Sequence, residues 1–366
     1  MRYYLIAGET SGDLHGSNLI KHIAQNDPNA EFRYWGGDLM AKHGGQLVKH
    51  YKESAFMGIT DVLLNIRQIS KNLTLCKKDI LEYMPDALIL IDYPGFNMRI
   101  AKFAKQKGIK VHYYISPKVW AWNTKRAFKI KTNVDYLYSI LPFEIDFYKP
   151  FGIVPDYIGN PLCDAISQYE FNPNFIVENN IKKPIIALLP GSRMSELKHL
   201  LPAMLTVVNN FPEYEFIIAG ANHIKASEYE KHIGDLPVRL ITGQTYDVLI
   251  HAKAALVCSG TATLETALLN CPQVVCYKFS RISYEIGKKL IKVKFISLVN
   301  LILNKEAVKE LIQNELTKNN IVINLNEILS GEKRTQQLMD YKTLSKIVGE
   351  PGASERAAKL IVSRCA

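Results

Sequence analysis

The sequence predicts an α/β protein made of two doubly wound, Rossmann-like halves that face a crevice. Three observations carry that expectation. A short apolar strand, a turn of small residues and a helix recur at Arg2–Gly16, at Ile185–Val208 and at Ala254–Asn270. Short apolar runs alternate with helical stretches through both halves. Between the halves, Gln168–Lys183 is polar, rich in Asn and broken by Pro173, the composition of a domain boundary.

A chain of 366 residues is long enough for two domains with sizeable cores. Its 48% hydrophobic and 22% charged content is that of a globular protein. There is no run of about 18 apolar residues, so no spanning helix is expected. Met1–Gly8 enters a strand directly, without the apolar core and cleavage site of a signal peptide. Six cysteines without a CxxC pair predict a reduced, cytosolic protein. With nine scattered His they form no ligand spacing, and no metal is expected. A net charge of +10 favours anionic partners: nucleic acid, a phosphate-rich substrate or a membrane surface.

In the first half, Arg2–Ala7 is a strand, followed by a Gly-rich loop over 8–16 and a helix carrying Leu19, Ile20 and Ile23. The glycines stand at 8, 12 and 16, so the dinucleotide fingerprint is absent and no nicotinamide cofactor is expected. The loop, with Ser11, Asp13 and His15, either meets a polar substrate or serves turn geometry alone. Glu31–Trp35 is a second strand. Val62, Ile66, Ile69, Leu73 and Cys76 then fall on one helical face, with Arg67, Lys71, Lys77 and Lys78 among them. Such a helix either lies in a membrane interface or packs on the core, the commoner outcome. Asp86–Ile91 is a buried-type strand ending in Asp92-Tyr93-Pro94-Gly95-Phe96-Asn97. An ionisable residue at the carboxyl end of a parallel strand stands where such sheets bind ligands, which makes Asp92 the candidate general base. Its plainer role is a turn residue before Pro94. Lys110–Ile115 and Tyr136–Ile140 are further strands; the basic helix between them (Lys125, Arg126, Lys129, Lys131) comes without a nucleic-acid-binding motif.

In the second half, Ile185–Leu189 leads to Pro190-Gly191-Ser192-Arg193 and a helix whose apolar face is Leu197, Leu201, Met204 and Val208. Arg193 offers the fork of donors that a diphosphate needs. Glu215–Ala221, Val238–Thr242, Ala254–Cys258 and Gln273–Tyr277 are successive strands. After Cys258, Ser259-Gly260-Thr261 opens a helix start suited to an anion. Glu265, one turn in, is placed to accept hydrogen bonds from sugar hydroxyls. The chain turns basic again at Arg281, Lys288, Lys289, Lys292 and Lys294, and Ser297–Leu301 reads as a loop or strand end. Helices are expected over Glu306–Lys318, Leu325–Leu329, Lys333–Val348 and Ser354–Ser363. Two phosphate-suited turns in one half and a strand-end carboxylate in the other fit a nucleotide-sugar transferase.

Eight blocks sharpen that reading: AGETSGDLHG (7–16), MGITDVL (57–63), IDYPGFN (91–97), SPKVWAW (116–122), GNPLCD (159–164), LLPGSR (188–193), SGTATLE (259–265) and SLVNL (297–301). In this order, and across nearly the whole chain, they resemble the lipid-A-disaccharide synthase family. The resemblance implies a GT-B-like fold with an acceptor- and membrane-facing domain at 1–166, completed by the helix 350–366, and a donor-binding domain at 167–349. It implies an inverting transfer without metal or other cofactor, from UDP-2,3-diacylglucosamine to 2,3-diacylglucosamine 1-phosphate. The products are the β-1,6-linked disaccharide 1-phosphate and UDP.

By the same resemblance Asp92 and Arg193 are the catalytic pair. Ser192, Arg193, Gly260, Thr261, Glu265 and Asn300 bind the donor. Ser11, Asp13, His15 and Asn97 line the acceptor side, and Val62, Ile66, Arg67, Ile69 and Leu73 meet acyl chains or membrane. Many relatives carry Asp where this chain has Gly95, which concentrates the base on Asp92. The family is peripheral to the inner face of the bacterial inner membrane, and a homodimer is implied, with no nucleic acid. Rival readings are another UDP-sugar enzyme of the same architecture, such as an epimerase, and a non-enzymatic basic protein that binds membranes or nucleic acid.

Overall fold

Parallel strands buried on both faces require continuous apolar runs, and strands form at those runs. The computed structural model describes residues 1–53, 65–278 and 293–365. It divides into two units, Met1–Asp164 with Glu350–Ala366, and Ala165–Gly349.

The first unit holds β1 (Arg2–Ala7), β2 (Glu31–Gly36), β3 (Gln46–His50), β4 (Ala87–Ile91), β5 (Lys110–Tyr114), β6 (Tyr136–Ser139) and β7 (Asp156–Tyr157). They form one parallel sheet in the order β3-β2-β1-β4-β5-β6-β7. Alternate residues of β1 enter two cores: Tyr3, Leu5 and Ala7 join one, Tyr4 and Ile6 the other. The first core is closed by Leu19 and Ile23 of α1 (Thr10–Asn26) and by Ala357, Ala358 and Ile361 of the last helix, Ala353–Cys365. That helix is tied in at both ends. Asp164 accepts from the amides of Gly352 (2.5 Å), Ala353 (3.1 Å) and Ser354 (2.9 Å). Arg364 forks onto both oxygens of Asp156 at 2.6 and 2.9 Å and lies over the Tyr136 ring.

The second unit holds β8 (Ile185–Leu189), β9 (Glu215–Gly220), β10 (Val238–Thr242), β11 (Ala252–Cys258), β12 (Gln273–Tyr277) and β13 (Lys309–Ile312). These are again all parallel, in the order β10-β9-β8-β11-β12-β13. In each sheet the strand order reverses once, between β1 and β4 and between β8 and β11. Ligands of doubly wound sheets bind at the carboxyl ends of such strands.

Four local expectations are corrected. The helix expected at Glu306–Lys318 is instead β13 followed by a 3-10 turn at Gln313–Glu315. Pairing with β12 and burial of Leu311 outweigh the helical preference of the local residues. Ser297–Leu301 is not a loop: Ser297 caps a helix over Leu298–Leu303 by accepting from the Asn300 amide. The helix placed at Leu325–Leu329 already starts at Lys318. The Gly-rich stretch over 8–16 is mostly helix, because α1 begins at Thr10.

The amphipathic stretch becomes a helix over Ile66–Tyr83. Cys76 and Ile80 are core residues, and Leu73 is partly buried against the same cluster. Ile66, 60% exposed, and Arg67 are surface residues, and Ile69 is half-buried. Val62 and the 57–63 block lie outside the described residues, as do Arg281, Lys288, Lys289 and Lys292. Among the described residues no helix is long and apolar enough to cross a membrane.

Candidate active site

In the first unit the switch point is built from Gly8 at the end of β1 and Asp92–Tyr93 at the end of β4, whose last residues Ala7 and Ile91 are paired. Asp92 and Tyr93 both adopt left-handed backbone, φ +43° and +47°. Two consecutive non-glycine residues in that region store strain of roughly 1–3 kcal/mol each, which persists only where surroundings enforce it. Here they do. The Asp92 amide donates to the Tyr114 carbonyl (3.2 Å), and the Asp92 carbonyl accepts from Tyr113 Oη (2.6 Å) and Asn97 Nδ2 (2.8 Å). Burial holds the Tyr113 phenol well above its ordinary pKa, so it stays a donor. The Tyr93 ring stacks on Phe96 and lies where a Cβ at position 8 would be, 2.4 Å from it, so only glycine fits there. The outcome is a half-buried Asp92 with a fixed backbone.

Three of the other acceptor-side candidates, Asp13, His15 and Asn97, are buried within the first unit. Asp13 is buried and its two oxygens accept from the amides of Gly37 (2.8 Å), Met40 (3.1 Å) and Leu39 (3.0 Å), capping the short helix Asp38–Ala41. Asn97 is fully buried, and its amide nitrogen bridges the carbonyls of Ile6, Ile91 and Asp92, lacing β1 to β4. His15 is buried within α1, its Nδ1 has no hydrogen-bond partner, and burial pushes its pKa down to about 4, so the ring is neutral. Ser11 is exposed in the first turn of α1.

Glu144 is a carboxylate that sequence patterning did not single out. It is 1% exposed and accepts from Trp120 Nε1 (3.1 Å) and the amides of Leu141 (3.2 Å) and Ile140 (3.3 Å). It thus ties the segment after β5 to the segment after β6. Burial pushes its pKa up to about 7 against the lowering effect of those donors.

In the second unit both motif turns stand at the β8/β11 switch point, where Leu189 pairs with Val257. Arg193 precedes the helix Met194–Leu205. Glu196, buried three residues on, accepts from the amides of Ser192 (3.0 Å) and Arg193 (3.2 Å) and from Arg193 Nη1 (2.9 Å). The Ser192 and Arg193 amides are therefore committed, and the turn's charge for an anion is the half-exposed guanidinium. Gly191 (φ +104°) is needed because a Cβ there would sit 2.4 Å from Glu196 Oε2. The Ser192 carbonyl accepts from His223 Nε2 at 2.8 Å, a contact from the β9 end that no local motif announced.

Gly260 (φ +156°) precedes the helix Thr261–Leu268, and among the described residues nothing beyond its chain neighbours lies within 4 Å of where its Cβ would be. A ligand can approach the backbone closely there. Thr261 is exposed. Glu265 is half-buried, and Tyr246 Oη donates to its Oε1 at 2.7 Å. Asn300 is the clear correction on this side. It is fully buried, its Oδ1 accepts from the amides of Ala307 and Val308, and its Nδ2 donates to the Val308 carbonyl and to Glu310 Oε1. It fixes the Leu298–Leu303 helix to β13 and has nothing left for a donor nucleotide.

The described residues contain no cluster of three or more His, Cys, Asp or Glu able to hold a metal. The chemistry on offer is a strand-end carboxylate in one unit. In the other it is a guanidinium, an open glycine turn and a carboxylate suited to hydroxyls.

Residues 3–362 match the family model described as lipid-A-disaccharide synthetase. The chain is 38% identical over 369 residues to the lipid-A-disaccharide synthase of Syntrophus aciditrophicus, covering 98% of this chain and 96% of the relative. It is 36% identical over 370 residues to that of Geobacter metallireducens, covering 99% and 96%. Among solved structures it resembles a UDP-GlcNAc 2-epimerase from Neisseria meningitidis bound to UDP-GlcNAc (TM-score 0.66, 12% identity, covering 100% of this chain and 99% of that one). It also resembles the glycotransferase of kitacinnamycin (TM-score 0.67, 13% identity, covering 100% and 99%). At such identities these structures bear on fold alone, which is that of GT-B glycosyltransferases and UDP-GlcNAc 2-epimerases.

Proposed function

The chain belongs to the lipid-A-disaccharide synthetase family, and from that premise we propose how its residues carry out the transfer. The enzyme is a glycosyltransferase. Its donor is UDP-2,3-diacylglucosamine and its acceptor 2,3-diacylglucosamine 1-phosphate. Asp92 accepts the proton of the acceptor 6-hydroxyl as that oxygen attacks the donor's anomeric carbon. The new C–O bond forms on the face opposite UDP, the bond to the diphosphate breaks, and its electron pair leaves with UDP, inverting the anomeric centre. Arg193 stabilises the charge growing on the diphosphate, and the open turn at Gly260–Thr261 receives it closely. Glu265 binds the ribose hydroxyls.

The observation that supports this reading is the placement of the candidate groups at strand-order reversals: Asp92 at one, Arg193 and Gly260 at the other. Exposed Ile66 and Arg67, together with the net charge of +10, support a peripheral seat on the anionic inner membrane, where both lipid substrates reside.

The test is to incubate the purified protein with both lipid substrates and look for the disaccharide 1-phosphate and UDP. Product from both substrates and none from the donor alone is expected. Epimerised sugar from the donor alone would replace transfer by epimerisation, the reaction of several proteins with this fold. Asp92→Asn should abolish turnover while UDP still binds; near-normal turnover would remove Asp92 as the base.

A further inference from the structure

Glu265 is an unusual carboxylate. It is half-buried, and burial raises its pKa above the ordinary carboxylate range. Among the described residues no Lys, Arg or His pairs with it, and Tyr246 Oη, 2.7 Å from Oε1, is its side-chain donor. A carboxylate without a counter-ion is costly unless its lone pairs meet hydrogen-bond donors. Tyr246 satisfies one oxygen and opposes the upward pull of burial. The other oxygen is left for a ligand's hydroxyls.

Tyr246 is itself held in place. It opens the helix Thr245–His251, and its ring meets Tyr169 edge-on with centroids 5.0 Å apart. Tyr169 Oη donates to Asp247 Oδ2 at 2.6 Å, and Asp247 Oδ1 accepts from the Asn172 amide at 2.8 Å. Burial and the adjacent Glu265 keep the Tyr246 phenol protonated, so it is a donor throughout the working pH range. The phenol therefore has one orientation and one proton to give.

We propose that Tyr246 is a positioning residue that sets the enzyme's preference for ribonucleotide over deoxyribonucleotide donors, by occupying one oxygen of Glu265 and presenting the other to the ribose diol. The inference rests on the assignment of Glu265 to the ribose. A single orientation matters because a carboxylate discriminates a hydroxyl from its absence only when the unpaired state is enforced. Without the phenol, Glu265 can rotate, hydrate or protonate, and the missing 2′-hydroxyl is no longer felt.

The experiment is calorimetric titration of UDP and 2′-deoxy-UDP into wild type, Tyr246→Phe and Glu265→Gln, with circular dichroism to check folding. Wild type should favour UDP by about tenfold or more, the size of one hydrogen bond to a charged group. Tyr246→Phe should weaken UDP several-fold and leave 2′-deoxy-UDP unchanged, collapsing the preference. A loss equal for both ligands would make Tyr246 a general packing residue and overturn the proposal, as would an unchanged preference. Glu265→Gln separates the two levels. If wild type prefers UDP and Glu265→Gln retains that preference, the ribose assignment itself fails, whatever Tyr246 does.

Discussion

Glu144 and Arg193 carry opposite lessons about charge. Glu144 is buried with three donors and still titrates near neutrality, because desolvation outweighs them. Its folded pKa of about 7 lies above the ordinary 4.5, so between these values the folded state binds more protons than the unfolded chain. The stability it contributes is complete below the lower value and lost as pH rises through the upper, a loss of ~3 kcal/mol. Relative to wild type, Glu144→Gln should therefore gain stability between pH 5 and pH 8, as read by urea unfolding at both; a difference that does not move with pH would remove Glu144 from this role. Arg193 is half-exposed, held by Glu196 at one nitrogen and aimed by the turn. Arg193→Ala should weaken UDP binding and slow turnover together, by roughly a hundredfold in rate. An unchanged UDP titration would end its assignment to the diphosphate.

At the scale of elements, most strands of both sheets were legible because parallel strands buried on both faces leave unbroken apolar runs, as in Ala87–Ile91 and Ile185–Leu189, whereas β3 and β7, at the two edges of the first sheet, carry no such run. β13 was not: Lys309-Glu310-Leu311-Ile312 is short and half charged, and only its partner β12 makes it a strand. The same limit applies to side chains. Asn300 sits in a block that resembles a donor motif, yet its partners are the backbone at 307–308 and Glu310, contacts that no local spacing reveals. Tyr246 stands 19 residues before Glu265, and helix packing, not sequence pattern, brings them together. Glu196 was readable in principle, as a Glu at the third position of a helix. The last helix provides a test of its own. Asp164→Ala removes the acceptor of three amides and should cost about 1–2 kcal/mol. The loss belongs to the first unit, so UDP affinity, which the proposed function assigns to the second, should stay at the wild-type value in the same titration; a parallel drop in both would break that separation.

For the whole molecule, a net charge of +10 is a statement about partners. Binding to vesicles containing anionic lipid should weaken steeply as salt rises, and Arg67→Glu together with Ile66→Ser should lower it at fixed salt. Vesicle flotation is the measurement; binding that ignores both salt and these substitutions would place the contact elsewhere.

The return of residues 350 onward to the first sheet also decides which unit can fold from one unbroken segment. The second unit is one continuous stretch, Ala165–Gly349, and all six of its strands lie within it. The first unit needs Ala357, Ala358 and Ile361, from beyond the second in the chain, to close its core, and Gly352–Ser354 to meet Asp164. Removing residues 350–366 would leave α1 uncovered on one face and Asp164 without its three amides, while the segment of the second unit stays whole. The two units thus differ in what a refolding chain must bring together: one unbroken segment for the second, and two segments separated by 185 residues for the one that bears Asp92.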